Sequence, residues 1–196
     1  TIKEGITKIG ASAFSNCTSL ETIEFPNSLV SISSYAFENC SSLKKIELKE
    51  SLETIDVGAF KGCSSIEEMT LPFLGKSRNT THGYEGVLGY IFGFTHLRED
   101  NKSYVESNKY NDIDNISETI DNDILQYACY IYEWYDDYFD DSYYYLSAFY
   151  YNIPLTLKKV TVTDQNKIPE AALRGCYFIE EVNFNDEINE IGRFAF

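Results

Sequence analysis

Ser41-Ser-Leu-Lys-Lys-Ile-Glu-Leu48 decides how this chain is read, because it recurs. Its apolar positions Leu43, Ile46 and Leu48 return as Leu20, Ile23 and Phe25, and again as Ile66, Met69 and Leu71. Late in the chain they return as Leu157, Val160 and Val162, then as Ile179, Val182 and Phe184. The last two apolar positions of each copy alternate with polar residues, the period of a strand with one buried face. One such strand cannot bury its apolar side alone, but a stack of similar strands can. Self-similarity at a fixed spacing therefore predicts a solenoid.

The repeated unit is longer than its strand. Cys17, Cys40 and Cys63 are 23 residues apart, and so are Ile9, Ile32 and Ile55. The pairs Ala13-Phe14, Ala36-Phe37 and Ala59-Phe60 keep the same spacing. Later copies supply Ile168, Ala172-Leu173 and Cys176, then Ile191 and Ala195-Phe196. The full unit reads L-x-x-I-x-L, a polar turn, then I-x-x-x-A-F-x-x-C. Over residues 1–71 and 155–196 this resembles the BspA-type, or Treponema-type, leucine-rich repeat of bacterial and trichomonad surface proteins. The resemblance implies an α/β leucine-rich repeat solenoid, a right-handed superhelix with a parallel sheet on its concave face, here interrupted by one long insert. Each coil is expected to carry a short strand, such as 43–48, and a return half closed by a 3₁₀ or single helical turn at Ala-Phe-x-x-Cys. Ile2 falls on the Phe25 position and Phe196 on the Phe14 position, so the chain reads as a single-domain piece of a longer protein.

A charge ladder says how the two halves meet. The residues after the first apolar position of each strand are Glu21, Lys44, Glu67, Lys158 and Glu180, and the next are Thr22, Lys45, Glu68, Lys159 and Glu181. Sign alternates from coil to coil and keeps alternating from Glu67 to Lys158. Opposite charges on neighbouring strands attract and like charges repel. Strand 66–71 is therefore expected to pair directly with strand 157–162, with the insert looped out. The next outward positions are Glu24, Glu47, Thr70, Thr161 and Asn183. A face without Trp, Tyr or Arg anchors is poorly suited to be an interaction hot spot.

The expected division is repeats at 1–71, an aromatic and acidic insert at 72–154 packed on the solenoid edge, and repeats continuing the same stack at 155–196. The insert holds 14 of the 16 tyrosines, both histidines and the only tryptophan. It carries 14 Asp and Glu against 5 Lys and Arg. Its opening, Leu71-Pro-Phe-Leu-Gly75, followed by Gly89-Tyr-Ile-Phe-Gly93, resembles an insertion of some bacterial members of the family. Leu88-Gly-Tyr-Ile-Phe92 reads as a degenerate Ile-x-x-x-Ala-Phe turn shortened by one residue. Residues 95–115 are polar and read as a loop. Ile116, Ile120, Ile124 and Ile131 suit a helical stripe capped by Ser117, whereas Tyr130-Ile-Tyr132 suits a strand. Both readings stand. Tyr143–Ile153 is β-prone and leads back into the solenoid.

Net charge is −15, which argues against nucleic acid or an anionic membrane as partner. No apolar run is long enough to span a bilayer, so no membrane insertion is expected of this piece. Hydrophobic content of 43% supports a real core. Cys17, Cys40, Cys63 and Cys176 are expected to be reduced, buried and inaccessible, acting as small hydrophobes. No C-x-x-C or His spacing suggests a metal, and no cofactor is expected.

Glu133, Asp136, Asp137, Asp140 and Asp141 crowd Trp134, Tyr135, Tyr138 and Phe139, a composition glycosidases also use. An acidic run is more often a solvated face. His82 and His96 have no nucleophile motif to serve. Asp112-x-Asp114 and Asp121-x-Asp123 lack the Gly and distal Glu of a calcium loop. Asn-x-Ser/Thr occurs at Asn16, Asn39, Asn79, Asn101 and Asn115, the first two within the repeat turn. The tyrosines have two readings: a cover over the tube, or a patch for protein or glycan. The candidate binding residues are Trp134, Tyr135, Tyr138, Phe139, Tyr143, Tyr144 and Tyr145; no catalytic or metal residue is expected. From the resemblance, the expected function is an extracellular, cell-surface adhesion module binding a host or matrix protein or a glycan, as a monomer and without catalysis. The alternatives are a structural spacer presenting other domains and, third, a glycan-active enzyme using insert carboxylates.

Overall fold

The computed structural model describes residues 1–81, 85–93, 119–120, 123–134 and 143–196; of 119–120, 123–134 and 143–150 it describes the backbone alone. The repeats stack as parallel strands. β1 (Lys8–Ile9), β2 (Ser31–Ile32) and β4 (Thr54–Ile55) pair through Ile9, Ile32 and Ile55 in register. β3 (Lys45–Glu47) and β5 (Glu68–Leu71) belong to a second, four-stranded sheet. That sheet continues into β9 (Lys159–Val162) and β11 (Glu181–Phe184). β10 (Lys167–Ile168) and β12 (Glu190–Ile191) form the matching pair in the later coils.

The pairing expected from the charge ladder is present. Glu68 faces Lys159, Met69 faces Val160 and Leu71 faces Val162 in parallel register. The concave sheet is thus continuous across the insertion. Leu43, Ile46, Leu48 and Phe37 are all buried, as the repeat register requires. The phenylalanines of successive coils lie flat on one another: Phe14 on Phe37 at 5.0 Å and Phe37 on Phe60 at 5.3 Å between ring centroids. Those separations follow the spacing of neighbouring strands, about 4.8 Å. The return half contains turns and no α-helix among the described residues. Its backbone pairs coil to coil, with the Phe14 N–H donating to the Ala36 carbonyl at 2.7 Å and Phe37 to Ala59 at 2.8 Å.

Part of the inserted stretch completes a coil. Pro72, Phe73 and Leu74 are buried, and the Ile55 N–H donates to the Lys76 carbonyl at 2.9 Å. The 3₁₀ helix η1 (Leu88–Phe92) then takes the place of the return turn. Phe60 donates to the Ile91 carbonyl at 2.8 Å, so Ile91 stands where Ala36 and Ala59 stand in earlier coils. Leu88, Ile91 and Phe92 are buried in the same core. The Leu88 N–H reaches the Ala172 carbonyl of the next coil at 2.9 Å. After Gly93 the chain departs, and it is back in the core at Tyr151 and Ile153. The Leu157 N–H donates to the Pro154 carbonyl at 3.0 Å, the bond that Leu43 makes to Cys40 at 3.1 Å. Pro154 therefore holds the cysteine position of the interrupted coil.

Between departure and return stands an antiparallel hairpin. β6 (Thr119–Ile120) pairs with the start of β7 (Asp123–Trp134), and β7 pairs along its length with β8 (Tyr143–Pro154). The strand reading of Tyr130-Ile-Tyr132 is the one adopted, so Ile120, Ile124 and Ile131 form no helical stripe. Ile116 and Ser117, and the loop expected at 95–115, lie outside the described residues.

Candidate functional site

Three ion pairs cross the exposed side of the concave sheet. Lys45 lies 3.4 Å from Glu68, Lys158 lies 3.3 Å from Glu180, and Lys159 lies 2.7 Å from Glu181. The hydrogen bond from Lys159 lowers the Glu181 carboxyl below its usual range and raises the Lys159 amine. Glu47 is likewise lowered by its hydrogen bond from Lys49. Three oppositely charged pairs of the ladder therefore meet each other. Exposed pairs of this kind contribute little to stability because water and salt screen them. At the sheet's end lies an open groove of about 400 Å³, edged by Asn27, Glu47, Lys49, Ser51, Thr70 and Thr163. None of these offers a ring on which a ligand could stack.

The candidate aromatic residues belong to the hairpin. Trp134 ends β7 and faces Tyr143 at the start of β8, while Tyr144 faces Glu133 and Tyr145 faces Tyr132. The register brings Trp134, Tyr143, Tyr144 and Tyr145 together at one end of a two-stranded ribbon, far along the strands from the solenoid end at Ile153 and Pro154. Tyr135, Tyr138 and Phe139 lie outside the described residues, as do Asp136, Asp137, Asp140 and Asp141. So do His82, His96, Asp112, Asp114 and Asp121. Among the described residues no group of three or more His, Cys, Asp and Glu side chains could hold a metal ion.

Two residues that tie the segment after Leu71 into the stack carry no sequence signal. Arg78 donates from one guanidinium nitrogen to the Glu50 carbonyl at 2.8 Å, the Leu52 carbonyl at 3.2 Å and the Asp164 carboxylate at 2.6 Å. It reaches coils on both sides of the interrupted one and lies over the Phe73 ring at 5.7 Å. Gln165 is buried, and its carbonyl oxygen accepts from the Leu74 N–H at 3.0 Å. A lone Arg in a loop and a Gln after a strand match no repeat position, so only the folded chain reveals them.

The cysteines divide. Cys40, Cys63 and Cys176 are buried and unbridged, as expected, but Cys17 is exposed. The thiols of Cys40 and Cys63 point at the Phe14 and Phe37 carbonyls of the preceding coil, each at 3.1 Å. Burial pushes the Cys63 thiol up to about 12 and raises Cys40 and Cys176 as well. These are inert thiols, since the thiolate is the reactive form.

No described helix is long and apolar enough to cross a membrane. A comparison with curated proteins finds no match. Among solved structures, the chain is similar to a leucine-rich repeat protein from Bacteroides ovatus ATCC 8483, at 20% identity and a TM-score of 0.32. The likeness covers 100% of this chain and 57% of that one, so the chain spans little more than half the length of that relative. The family described as BspA type leucine rich repeat region matches residues 1–82 and 142–196, in six copies. With repeats, register and core all in agreement, the chain belongs to the BspA-type leucine-rich repeat family.

Proposed function

We propose that this chain is a binding module of an extracellular, cell-surface protein, recognising a host or matrix protein or a glycan through the aromatic end of its hairpin, without catalysis. Membership in a family of surface repeat proteins supports an interaction role. One observation carries the choice of site: an aromatic-rich ribbon is mounted on a coil whose own residues, Leu88, Ile91, Phe92, Tyr151 and Ile153, are core. Loops and ribbons held by a rigid scaffold are the usual carriers of function. Aromatic side chains supply large contact areas that pair well with protein or sugar surfaces. On the concave sheet, by contrast, Lys45, Lys158 and Lys159 pair with Glu68, Glu180 and Glu181 of neighbouring coils.

The test compares two variants. One replaces Trp134, Tyr135, Tyr138, Phe139 and Tyr143 by Ser. The other replaces Thr22, Lys45, Glu68 and Lys159 by Ala. Both are probed against immobilised matrix proteins and a glycan array. Loss of binding in the first alone supports the hairpin site, and loss in the second alone overturns it. A spacer role is favoured by the unbroken stacking of β5 on β9, which keeps the rod stiff through the insertion. It predicts that the intact chain binds none of these probes.

A further inference from the structure

Three oxygens from two coils converge on one point. The Glu50 carbonyl at 2.8 Å, the Leu52 carbonyl at 3.2 Å and the Asp164 carboxylate at 2.6 Å all accept from a single nitrogen of Arg78. A terminal guanidinium nitrogen carries two hydrogens, so it cannot give each acceptor a bond of its own. An arginine matched to its site spreads its donors over the two nitrogens of its fork. Here the buried Nε finds no acceptor among the described residues. The oxygens are therefore arranged around a point charge, and one prong of the guanidinium supplies it.

Each oxygen is held from behind by the solenoid. Leu52 is buried and its N–H donates to the Lys49 carbonyl at 3.0 Å, which fixes the turn bearing both carbonyls. Asp164 lies beside the buried Gln165, and its N–H donates to the Pro72 carbonyl at 2.9 Å. Carbonyl and carboxylate oxygens at one point are ligands for calcium, which fills the rest of its shell with water. Water reaches this point, because the Arg78 and Asp164 side chains are 30% and 40% exposed. We propose that the Glu50 and Leu52 carbonyls and the Asp164 carboxylate form a calcium seat, which Arg78 plugs with its own charge. Calcium and Arg78 then compete for one place. Such competition is reciprocal: calcium in the seat holds Arg78 out, and Arg78 in the seat weakens calcium binding. Backbone carbonyls leave no mark in a sequence, so a site of this kind has no ligand motif to read. It does not depend on the ligand reading above.

The experiment titrates calcium into the full chain by calorimetry. A net charge of −15 attracts calcium in many places, so the seat is read as the binding that Asp164→Asn removes. Arg78→Ala should bind calcium there with a Kd of about 0.1–1 mM, the range of weak extracellular sites. In the native chain the seat is open only while Arg78 is out of it, so binding should be at least about tenfold weaker. Calcium should also speed amide exchange at residues 76–81 of the native chain, relative to potassium at equal ionic strength. That measurement needs no variant and stands even if Arg78→Ala is unstable. An Arg78→Ala chain with no calcium binding that Asp164→Asn removes overturns the proposal. Equal affinity in the native and Arg78→Ala chains overturns it too, since Arg78 then does not compete. So does exchange at 76–81 that calcium leaves unchanged.

Discussion

The Phe60 N–H donates to the carbonyl of Ile91 at 2.8 Å, and in doing so it makes the bond that Phe37 makes to Ala59 one coil earlier. A residue from within the inserted stretch has taken a repeat position. The 3₁₀ turn that carries it is one residue shorter than its counterparts, because Gly58 pairs with Tyr90 and Phe60 with the very next residue.

Phe92 is therefore core. Phe92→Ala should destabilise the solenoid by about 3–5 kcal/mol, through lost burial and the cavity left behind. The measurement is reversible denaturant unfolding followed by the far-ultraviolet signal. A change close to zero would mean that η1 is not part of the stack.

Leu43 anchors the repeat register itself, fully buried two residues before β3 begins. Leu43→Ala should cost about 2–5 kcal/mol. A shift under about half a kcal/mol, the range of ordinary surface changes, would show the register to be wrong.

Arg78 ties two flanking coils across the interrupted one. Arg78→Ala leaves the Glu50 and Leu52 carbonyls and the Asp164 carboxylate without their donor. The expected loss is about 1–3 kcal/mol, towards the lower end because the pair is partly open to water. Faster amide exchange at residues 72–81, with β3 unchanged, would show where the loss falls.

Thiol labelling should separate one cysteine from three. Cys17 should react at once in the native protein, and Cys40, Cys63 and Cys176 only on unfolding. The raised thiols also set a pH dependence. Cys63 goes from an ordinary 9.0 to about 12 on folding, so its contribution is fully present below pH 9 and is lost as pH rises towards 12. The thermal midpoint should fall over that window, and Cys63→Ala should flatten the fall. An equal fall in the variant would assign it to other groups.

Architecture was legible in the sequence for a physical reason. Stacked coils place equivalent residues one strand apart, so every coil repeats the same burial demand, and Leu43, Ile46 and Leu48 recur where their environments recur. Even the junction of β5 with β9 could be read, because Lys159 needed an opposite charge beside it and Glu68 supplied one. The insertion obeys no such period. Ile120, Ile124 and Ile131 fit a helical spacing but lie in strands, since a pattern this short cannot choose between periods of 3.6 and 2 without its partners. That Pro154 stands in a cysteine's place and that Arg78 bridges two coils are set by neighbours distant in the chain. Tertiary structure alone decided them, because burial and hydrogen bonding belong to the assembled stack and not to any one stretch of it.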